Sequence, residues 1–311
     1  MKMDVVALGA LAVDYYAVLP KLPEEDGKTT ALDYQIKPGG VAGNVLTQTA
    51  RLGLKSGWIG KIGDDPSGDI LRREFEKDGV DCSHAEVISG KNSMFTWISV
   101  DQEGARTIVM FPNVLAEFTP EDVMSKHADY IRNSRVLQCE ACVLPLNIML
   151  AGLRIAKEAG VLTVFDLDVA PSEIERSKLG TREELDEILS LVDVLIPCKL
   201  AAQELIGSTN FDKDAHRLLR YGAKYAAVTL GRKGCIVLSK KEQQIVPIVD
   251  AGKVVDTTGA GDAFHGGMIY ALLNDMSLKD AGRFANACGG LNCTGIGARY
   301  MGSLEDIKRL L

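Results

Sequence analysis

Short runs of consecutive apolar residues alternate along the chain with longer stretches whose apolar residues recur every three or four positions. The short runs predict buried strands and the longer stretches predict helices. The predicted strands span residues 5–9, 57–63, 135–139, 162–167, 192–197, 225–231 and 234–239. The predicted helices span residues 43–53, 67–79, 145–160, 182–191, 199–207 and 212–223. This alternation favours a doubly wound α/β fold, in which helices flank both faces of a mostly parallel sheet.

Two segments interrupt this alternation, at about 12–37 and 94–111. The first contains extended stretches such as TTALDYQIK, and the second predicts two strands around the turn DQEG. Because neither is followed by a crossover helix, we predict a small antiparallel β-sheet that forms a lid over the strand ends of the main sheet. The alternative is that both segments extend the main sheet. We expect one α/β domain over residues 1–311, with the lid inserted in it.

The composition is that of an ordinary globular protein, with 46% hydrophobic and 25% charged residues. A net charge of −7 argues against nucleic acid as the main partner, and we expect no membrane span because no long apolar run occurs. The seven cysteines are scattered, and the first residues lack the features of a signal peptide. We therefore expect reduced thiols in the cytoplasm, and we interpret the single CxxC at 139–142 as small buried side chains.

The stretch DTTGAGDAFHGG, at residues 256–267, concentrates glycines directly before a predicted helix. Free amides and the dipole of a first helical turn bind anions, and small residues such as Gly259, Ala260 and Gly261 let a phosphoryl group come close. Asp262 falls in the same turn. Its carboxylate is placed to deprotonate a hydroxyl that attacks phosphorus, although an acidic residue also stabilises a helix N-terminus without any catalytic role.

A second glycine cluster, KPGGVAGN, also precedes a predicted helix. Gly39 and Gly40 allow close backbone approach, and the Asn44 amide suits sugar hydroxyls. Asp14 follows the first strand, where open α/β sheets bind ligands. The stretch TLGRKG at 229–234 joins two predicted strands. The motifs GxxxxGK[ST] and GxGxxG are missing at the expected places, which disfavours a P-loop protein and an NAD-dependent enzyme.

Together these motifs, with GKIGDDPSG at 60–68, resemble the ribokinase, or PfkB, family of carbohydrate kinases over nearly the whole chain. The resemblance implies a ribokinase-like fold with a β lid and phosphorylation of a hydroxymethyl group by ATP. It also implies magnesium bound to ATP and a homodimer formed through the lid. The motifs are most similar to those of ketose kinases, including the sulfofructose kinases.

The same resemblance implies roles for individual residues. Asp262 matches the catalytic base, and the anion hole matches Gly259, Ala260 and Gly261. The substrate-binding positions are Asp14, Gly40, Asn44 and Glu140. The nucleotide-binding positions are Thr229, Gly231, Gly234 and Asn286. Asp256 and Thr258 match positions that bind a monovalent cation, potassium in particular, in some members.

The chain departs from the family at the NxxE motif, where it carries Cys198 and Ala201. Glu204, one helical turn later, is a weak candidate to replace the missing acid. This loss keeps a second hypothesis open, that the protein is a catalytically weak sugar or nucleotide sensor.

Two further side-chain interpretations bear on the substrate. A nucleoside kinase is the alternative enzyme, because Phe95 and Trp97 in the lid offer a stacking face for a base. Arg299 is interpreted as a solvated surface residue, with recognition of an anionic substituent as the alternative.

Overall fold

The computed structural model describes residues 2–103 and 105–311. Gly104, in the predicted DQEG turn, lies outside the described residues. The strands are β1 Met3–Leu8, β2 Ala12–Leu19, β3 Asp33–Gly39, β4 Ser56–Gly63, β5 Asp81–Ile88, β6 Phe95–Asp101, β7 Arg106–Phe111, β8 Ser134–Glu140, β9 Leu162–Leu167, β10 Val194–Pro197, β11 Tyr225–Thr229, β12 Cys235–Ser239 and β13 Gln243–Val246. The helices are α1 Val41–Arg51, α2 Pro66–Asp78, α3 Pro120–Asp122, α4 Ala128–Arg132, α5 Leu146–Glu158, α6 Pro171–Arg176, α7 Arg182–Leu191, α8 Lys199–Ile206, α9 Phe211–Asp214, α10 Ala260–Leu273, α11 Leu278–Asn292 and α12 Leu304–Leu310.

The main sheet has nine strands in the order β13-β12-β11-β10-β9-β8-β1-β4-β5. The pairs from β5 to β11 are parallel, whereas β11–β12 and β12–β13 are antiparallel. Successive residues of a strand enter opposite layers: Val5 packs in the same core as Trp58, and Val6 packs in the other core with Ile59. Helices cover both layers, which confirms the predicted doubly wound fold.

The strand order reverses between β1 and β8, because the chain first builds outward through β4 and β5 and later through β9, β10 and β11. A crevice at the carboxyl ends of the strands forms where the order reverses, and open α/β sheets bind ligands there. Residues that follow β1, β8 and β9 therefore lie close together at the carboxyl ends of these strands.

The lid is a four-stranded sheet in the order β3-β2-β6-β7, and it uses the two segments that the sequence pattern singled out. Its pairs β2–β3 and β6–β7 are antiparallel, as predicted, but the central pair β2–β6 is parallel. The two hairpins therefore pair through β2 and β6, which run in the same direction.

Two differences from the predicted elements have local causes. Residues 212–223 form the short helix α9 and a 3-10 helix, Ala215–Tyr221, instead of one α-helix. The strands β5 and β13 were not predicted, because they lie at the two edges of the main sheet and carry many half-buried polar residues. Across the described residues, no helix combines the length and apolar character that a bilayer crossing requires.

Candidate active site

Asp262 lies in the first turn of α10, which begins where the sequence predicted it. Gly259 is the residue before the helix and has φ 74°, in the left-handed region. A Cβ atom there would lie 2.2 Å from the carbonyl oxygen of Ala298. Only glycine fits both the dihedral angle and the space, so the glycine fixes how the chain enters α10.

The amides of this turn are partly free. Within the described part of the chain, the N–H groups of Gly259, Gly261 and Asp262 have no protein acceptor. The N–H of Ala260 donates to the carbonyl of Thr257 at 3.2 Å. The amide of Ala260 therefore closes the turn that leads into the helix, and a role for Ala260 in the anion hole stays a prediction. The remaining free amides and the helix dipole favour an anion at this place.

The Asp262 carboxylate accepts a hydrogen bond from Asn44 Nδ2 at 2.7 Å. Asn44 is buried in α1, directly after the second glycine cluster. Burial raises the pKa of Asp262 to about 7, the hydrogen bond from Asn44 opposes the rise, and the charge of Asp168 adds to it. A pKa near neutrality suits a general base, which must both accept and release a proton.

Asp14, in β2, is the second carboxylate on this side of the lid and is buried. Burial raises its pKa to about 6, against the charge of Arg299 and a hydrogen bond with Thr96. A Cβ at Gly39 would lie 2.1 Å from Asp14 Oδ2, and one at Gly40 would lie 2.6 Å from the carbonyl oxygen of Ala10. The glycine pair therefore packs directly against the β1–β2 connection and leaves room for the Asp14 side chain.

Glu140 ends β8 and is 1% exposed. Its Oε1 accepts a hydrogen bond from the Ala10 N–H at 2.5 Å, and its Oε2 is buried without a partner among the described residues. Burial, opposed by the Ala10 bond, raises the pKa of Glu140 well above its usual range. The side chain lies beneath the connection that follows β1, and a sugar contact from Glu140 stays a prediction.

Two acidic residues near Asp262 escaped the sequence analysis. Asp166 lies opposite Glu140 in the β8–β9 register, and Asp168 follows β9 with an exposed side chain. Asp166 Oδ2 is 3.2 Å from His265 Nδ1. Burial raises the pKa of Asp166 well above its usual range and lowers that of His265 to about 3, so burial disfavours the charged form of both side chains. The available signal was a pair of acids at the ends of adjacent parallel strands.

A cavity of about 320 Å³ borders the first turn of α10. It brings together the four residues expected to bind nucleotide, Thr229, Gly231, Gly234 and Asn286, and it also reaches Gly261. Asn286 donates hydrogen bonds to the carbonyl oxygens of Val246, at 3.1 Å, and Pro247, at 2.9 Å. Its amide nitrogen therefore fixes one wall of the cavity.

Asp256 and Thr258 lie together before α10. Asp256 Oδ1 accepts hydrogen bonds from the N–H of Thr258 at 2.9 Å and from its hydroxyl at 2.8 Å, and Oδ2 accepts one from the Gly297 N–H at 2.8 Å. Burial raises the pKa of Asp256, but the bonds from Thr258 and Gly297 outweigh it and lower the pKa below its usual value. The carboxylate is therefore ionised at neutral pH.

The residues at the NxxE position have structural roles. Cys198 precedes α8, where its Sγ accepts a hydrogen bond from the Ala201 N–H at 3.5 Å, and Ala201 is fully buried. Glu204 accepts hydrogen bonds from the N–H and hydroxyl of Ser172, at 2.7 and 2.8 Å. These bonds occupy the Glu204 carboxylate at the start of α6, which argues against its substitution for the missing acid.

Arg299 is not the solvated surface residue that we expected. Its Nε donates to Asn44 Oδ1 at 2.9 Å and its Nη2 donates to the carbonyl oxygen of Gly39 at 2.8 Å. These partners lie in the second glycine cluster, more than 250 positions earlier in the chain. The sequence carried no local signal for this contact.

The lid register decides where Phe95 and Trp97 point. Asp14 is paired with Thr96 across β2 and β6, so these two residues share the lid face on the side of the candidate base, Asp262. Side chains alternate along a strand, so Phe95 and Trp97 lie on the opposite face. Phe95 stacks there on Phe111, with ring centroids 4.4 Å apart. The two aromatic residues are therefore not a stacking surface for a bound base.

The chain is similar to known proteins over nearly its whole length. The family model described as pfkB family carbohydrate kinase matches residues 2–305. Ribokinase of Haemophilus influenzae is 29% identical over 308 residues, which cover 96% of this chain and 95% of that protein. Probable fructokinase-3 of Arabidopsis thaliana is 30% identical over 315 residues, which cover 94% and 87%. The structure of Arabidopsis thaliana ribokinase complexed with ribose and ATP matches with a TM-score of 0.86 at 23% identity, over 100% of this chain and 99% of that one.

Proposed function

The chain belongs to the pfkB family of carbohydrate kinases, and on that premise we propose that it transfers the γ-phosphoryl group of ATP to a hydroxymethyl group of a monosaccharide or sugar derivative. One observation carries the proposal. The Asp262 carboxylate lies beside free amides in the first turn of α10, and Gly261 of the same turn borders a cavity that collects the expected nucleotide-binding residues. A base, an anion site and a nucleotide cavity therefore meet at one place.

In the proposed reaction, Asp262 accepts the proton of the sugar hydroxyl while its oxygen forms a bond to the γ-phosphorus. The bond from that phosphorus to the β–γ bridging oxygen breaks, and ADP leaves with the electron pair. The amides of Gly261 and Asp262 stabilise the charge on the transferred group. Asp14 and Asn44 hold the sugar hydroxyls, and the lid excludes water so that ATP is not hydrolysed.

Magnesium fits this site as a partner of ATP. Among the described residues, no group of three or more His, Cys, Asp or Glu side chains is arranged to hold a metal ion. Mg²⁺ commonly binds one or two carboxylates together with substrate phosphates, and Asp168 is an exposed carboxylate near Asp262. The ion would neutralise phosphate charge. A magnesium titration of the Asp168→Asn variant tests this role, since an unchanged half-saturating concentration would exclude it.

Potassium is proposed at Asp256 and Thr258, because the ionised Asp256 carboxylate is fixed by three protein donors next to α10. A cation there would offset the negative charge of the nucleotide phosphates. Rates measured in potassium and sodium salts at equal ionic strength test the proposal, and identical rates would remove it.

The outer face of the lid supports a homodimer. Exposed apolar side chains share this face, namely Tyr34, Ile36, Trp97, Val109 and Phe111. An apolar patch of this kind on a small sheet marks a surface that another chain covers. We assign it to the lid of a second copy, with equilibrium sedimentation as the measurement.

The cytoplasm is the proposed location. All seven cysteines are free thiols, of which Cys139, Cys235 and Cys288 are buried. Reduced thiols are typical of cytoplasmic proteins. Cell fractionation with detection of the native protein tests this location, and recovery from an oxidising compartment would overturn it.

The decisive experiment combines a substrate screen with one variant. Phosphate transfer from ATP is measured against ketoses, aldoses, sugar acids, sugar phosphates and nucleosides, with product identified by mass spectrometry. We expect a sugar as acceptor, and Asp262→Asn to lower kcat about 10³-fold or more with ATP binding and melting temperature retained. Transfer only to nucleosides would favour the alternative enzyme. ATP and sugar binding without transfer would favour the sensor, and wild-type turnover in Asp262→Asn would falsify the base.

A further inference from the structure

The Arg299 side chain is built into the candidate site from behind α1. Its guanidinium carbon lies 5.3 Å from the centre of the Phe75 ring, which gives it a cation–π contact. A Cβ at Gly43 would lie 2.4 Å from Arg299 Nη2, so α1 has a glycine where the guanidinium passes. Nη1 is buried and has no hydrogen-bond partner within the described residues. Such a position requires a role that outweighs the desolvation of a charged group.

The contacts of Arg299 determine the orientation of the Asn44 amide. A guanidinium only donates hydrogen bonds, so the Asn44 atom that faces Arg299 Nε at 2.9 Å is the oxygen Oδ1. The Asn44 NH2 group is then the one that donates to Asp262 Oδ2, at 2.7 Å. Arg299, Asn44 and Asp262 thus form one hydrogen-bonded chain, and each of its members has a fixed direction.

The same side chain brings positive charge to two carboxylates. Burial lowers the pKa of Arg299 to about 10, so it is still charged at neutral pH. Its charge opposes the burial that raises the pKa of Asp262 and of Asp14. Within the part of the chain that the structure describes, Arg299 is the one cation among the main influences on either carboxylate.

We propose that Arg299 is a positioning residue for phosphoryl transfer, which orients the Asn44 amide toward Asp262 and keeps the Asp262 carboxylate ready to accept the proton of the substrate hydroxyl. The inference rests on the proposed role of Asp262 as the base. It goes beyond that role, because Arg299 acts on the base through Asn44 and through charge.

Two substitutions separate the two contributions. Arg299→Gln removes both the charge and the paired contacts. We expect its kcat to fall about 100-fold, since small misplacements of a reacting group have effects of this size, and the acid limb of its kcat–pH profile to move to higher pH. Arg299→Lys keeps the charge but cannot contact Asn44 and Gly39 together. We expect its kcat to fall about 10-fold with the acid limb at its wild-type position. The KM for ATP should stay near wild type in both.

Arg51 provides the matched control. Its Nη1 donates to the carbonyl oxygens of Arg299, at 3.0 Å, and Met301, at 2.9 Å, so Arg51→Gln loosens the same segment without removing the Arg299 charge. We expect a lower melting temperature in Arg51→Gln and no movement of the acid limb. An acid limb of Arg299→Gln that coincides with wild type would overturn the proposal. If Arg299→Gln does not fold, Arg299→Lys decides, and wild-type kcat in that variant would overturn it.

Asp262→Asn distinguishes failure of this inference from failure of the proposed function. Wild-type turnover in Asp262→Asn would reject both the assignment of Asp262 as the base and the proposed role of Arg299. An inactive Asp262→Asn, combined with an Arg299→Gln profile like that of Arg51→Gln, rejects only the role of Arg299.

Discussion

Gly259 and Gly261 flank the start of α10 and are glycines for different physical reasons. Gly259 has a positive φ of 74°, and a Cβ would meet the carbonyl oxygen of Ala298. Among the described residues, a Cβ at Gly261 would have no neighbour within 4 Å, and Gly261 borders the cavity that we propose binds nucleotide. The first glycine therefore serves the fold, whereas the second leaves room for a ligand.

Alanine substitution should separate these two reasons. Gly259→Ala should destabilise the protein by about 1–3 kcal/mol, because the new side chain is strained by its dihedral angle and by the contact with Ala298. Gly261→Ala should keep the wild-type melting temperature and raise the KM for ATP, because the methyl group would occupy space that we propose the phosphate uses. Calorimetry and steady-state kinetics measure both effects. Equal kinetics of Gly261→Ala and wild type would show that phosphate does not approach this turn.

The motif around Asp262 could be predicted because its requirements are local: a loop, a helix start and an acid within one turn. Arg299 could not, since the contact that defines it joins positions 255 apart in the chain. Glu140 was assigned by resemblance alone, and its burial beneath the β1–β2 connection depends on the register of two strands. Site residues fixed by tertiary packing therefore needed the structure.

The elements of the lid show how register assigns function to a face. The face that carries Asp14 and Thr96 covers the candidate site, and the other face is apolar and exposed. Val109 and Ile108 are neighbours in β7 with 45% and 47% exposure, and they point to opposite faces. This pair makes the two faces separately testable.

Val109→Lys should shift the proposed dimer toward monomer, because it places a charge on the apolar face that the second copy would cover. Ile108→Lys is the matched control, with a similar exposure and the same change on the face above the site. It should leave the association unchanged. Sedimentation of both variants at several concentrations measures this. Val109→Lys and wild type with the same association would reject the lid as the interface.

Strand prediction succeeded inside the main sheet and failed at its edges. Interior strands such as β10 are buried at every position, which gives continuous apolar runs. Edge strands need only one buried side, so β5 has a polar pattern that does not stand out. The parallel pairing of β2 with β6 joins segments about 80 residues apart, and no local pattern encodes it.

For the molecule as a whole, the reversal of strand order brings acidic residues together at the carboxyl ends of the central strands. Glu140 and Asp166 are buried there in adjacent register, and burial raises the pKa of both well above the usual range. A buried acid whose folded pKa lies above its unfolded pKa makes the protein less stable as the pH rises through the unfolded pKa, because the unfolded chain releases the proton first. The site therefore carries a cost in stability that depends on pH.

Asp193, directly before β10, is an acidic residue whose pKa is shifted in the opposite direction. Burial raises its pKa, but hydrogen bonds from Thr163, Lys224 and Lys157 outweigh it and lower the pKa below 3.8. An acid of this kind contributes stability above its unfolded pKa and loses it as pH falls through the folded value. Asp193→Asn should therefore destabilise the protein at neutral pH, with a deficit that shrinks in acid.

Glu140→Gln should reduce the amount by which the free energy of unfolding falls as the pH rises. Above the ordinary pKa of 4.5 the unfolded chain releases the Glu140 proton, while the folded protein retains it up to the raised pKa. The unfolded state then binds fewer protons, so unfolding becomes easier by up to about 1.4 kcal/mol per pH unit for one group. Glutamine keeps the Ala10 contact and cannot ionise. Denaturant unfolding at about pH 5 and about pH 7 measures the difference, with Asp193→Asn as the control. A Glu140→Gln curve parallel to wild type would mean that Glu140 is ionised in the folded protein.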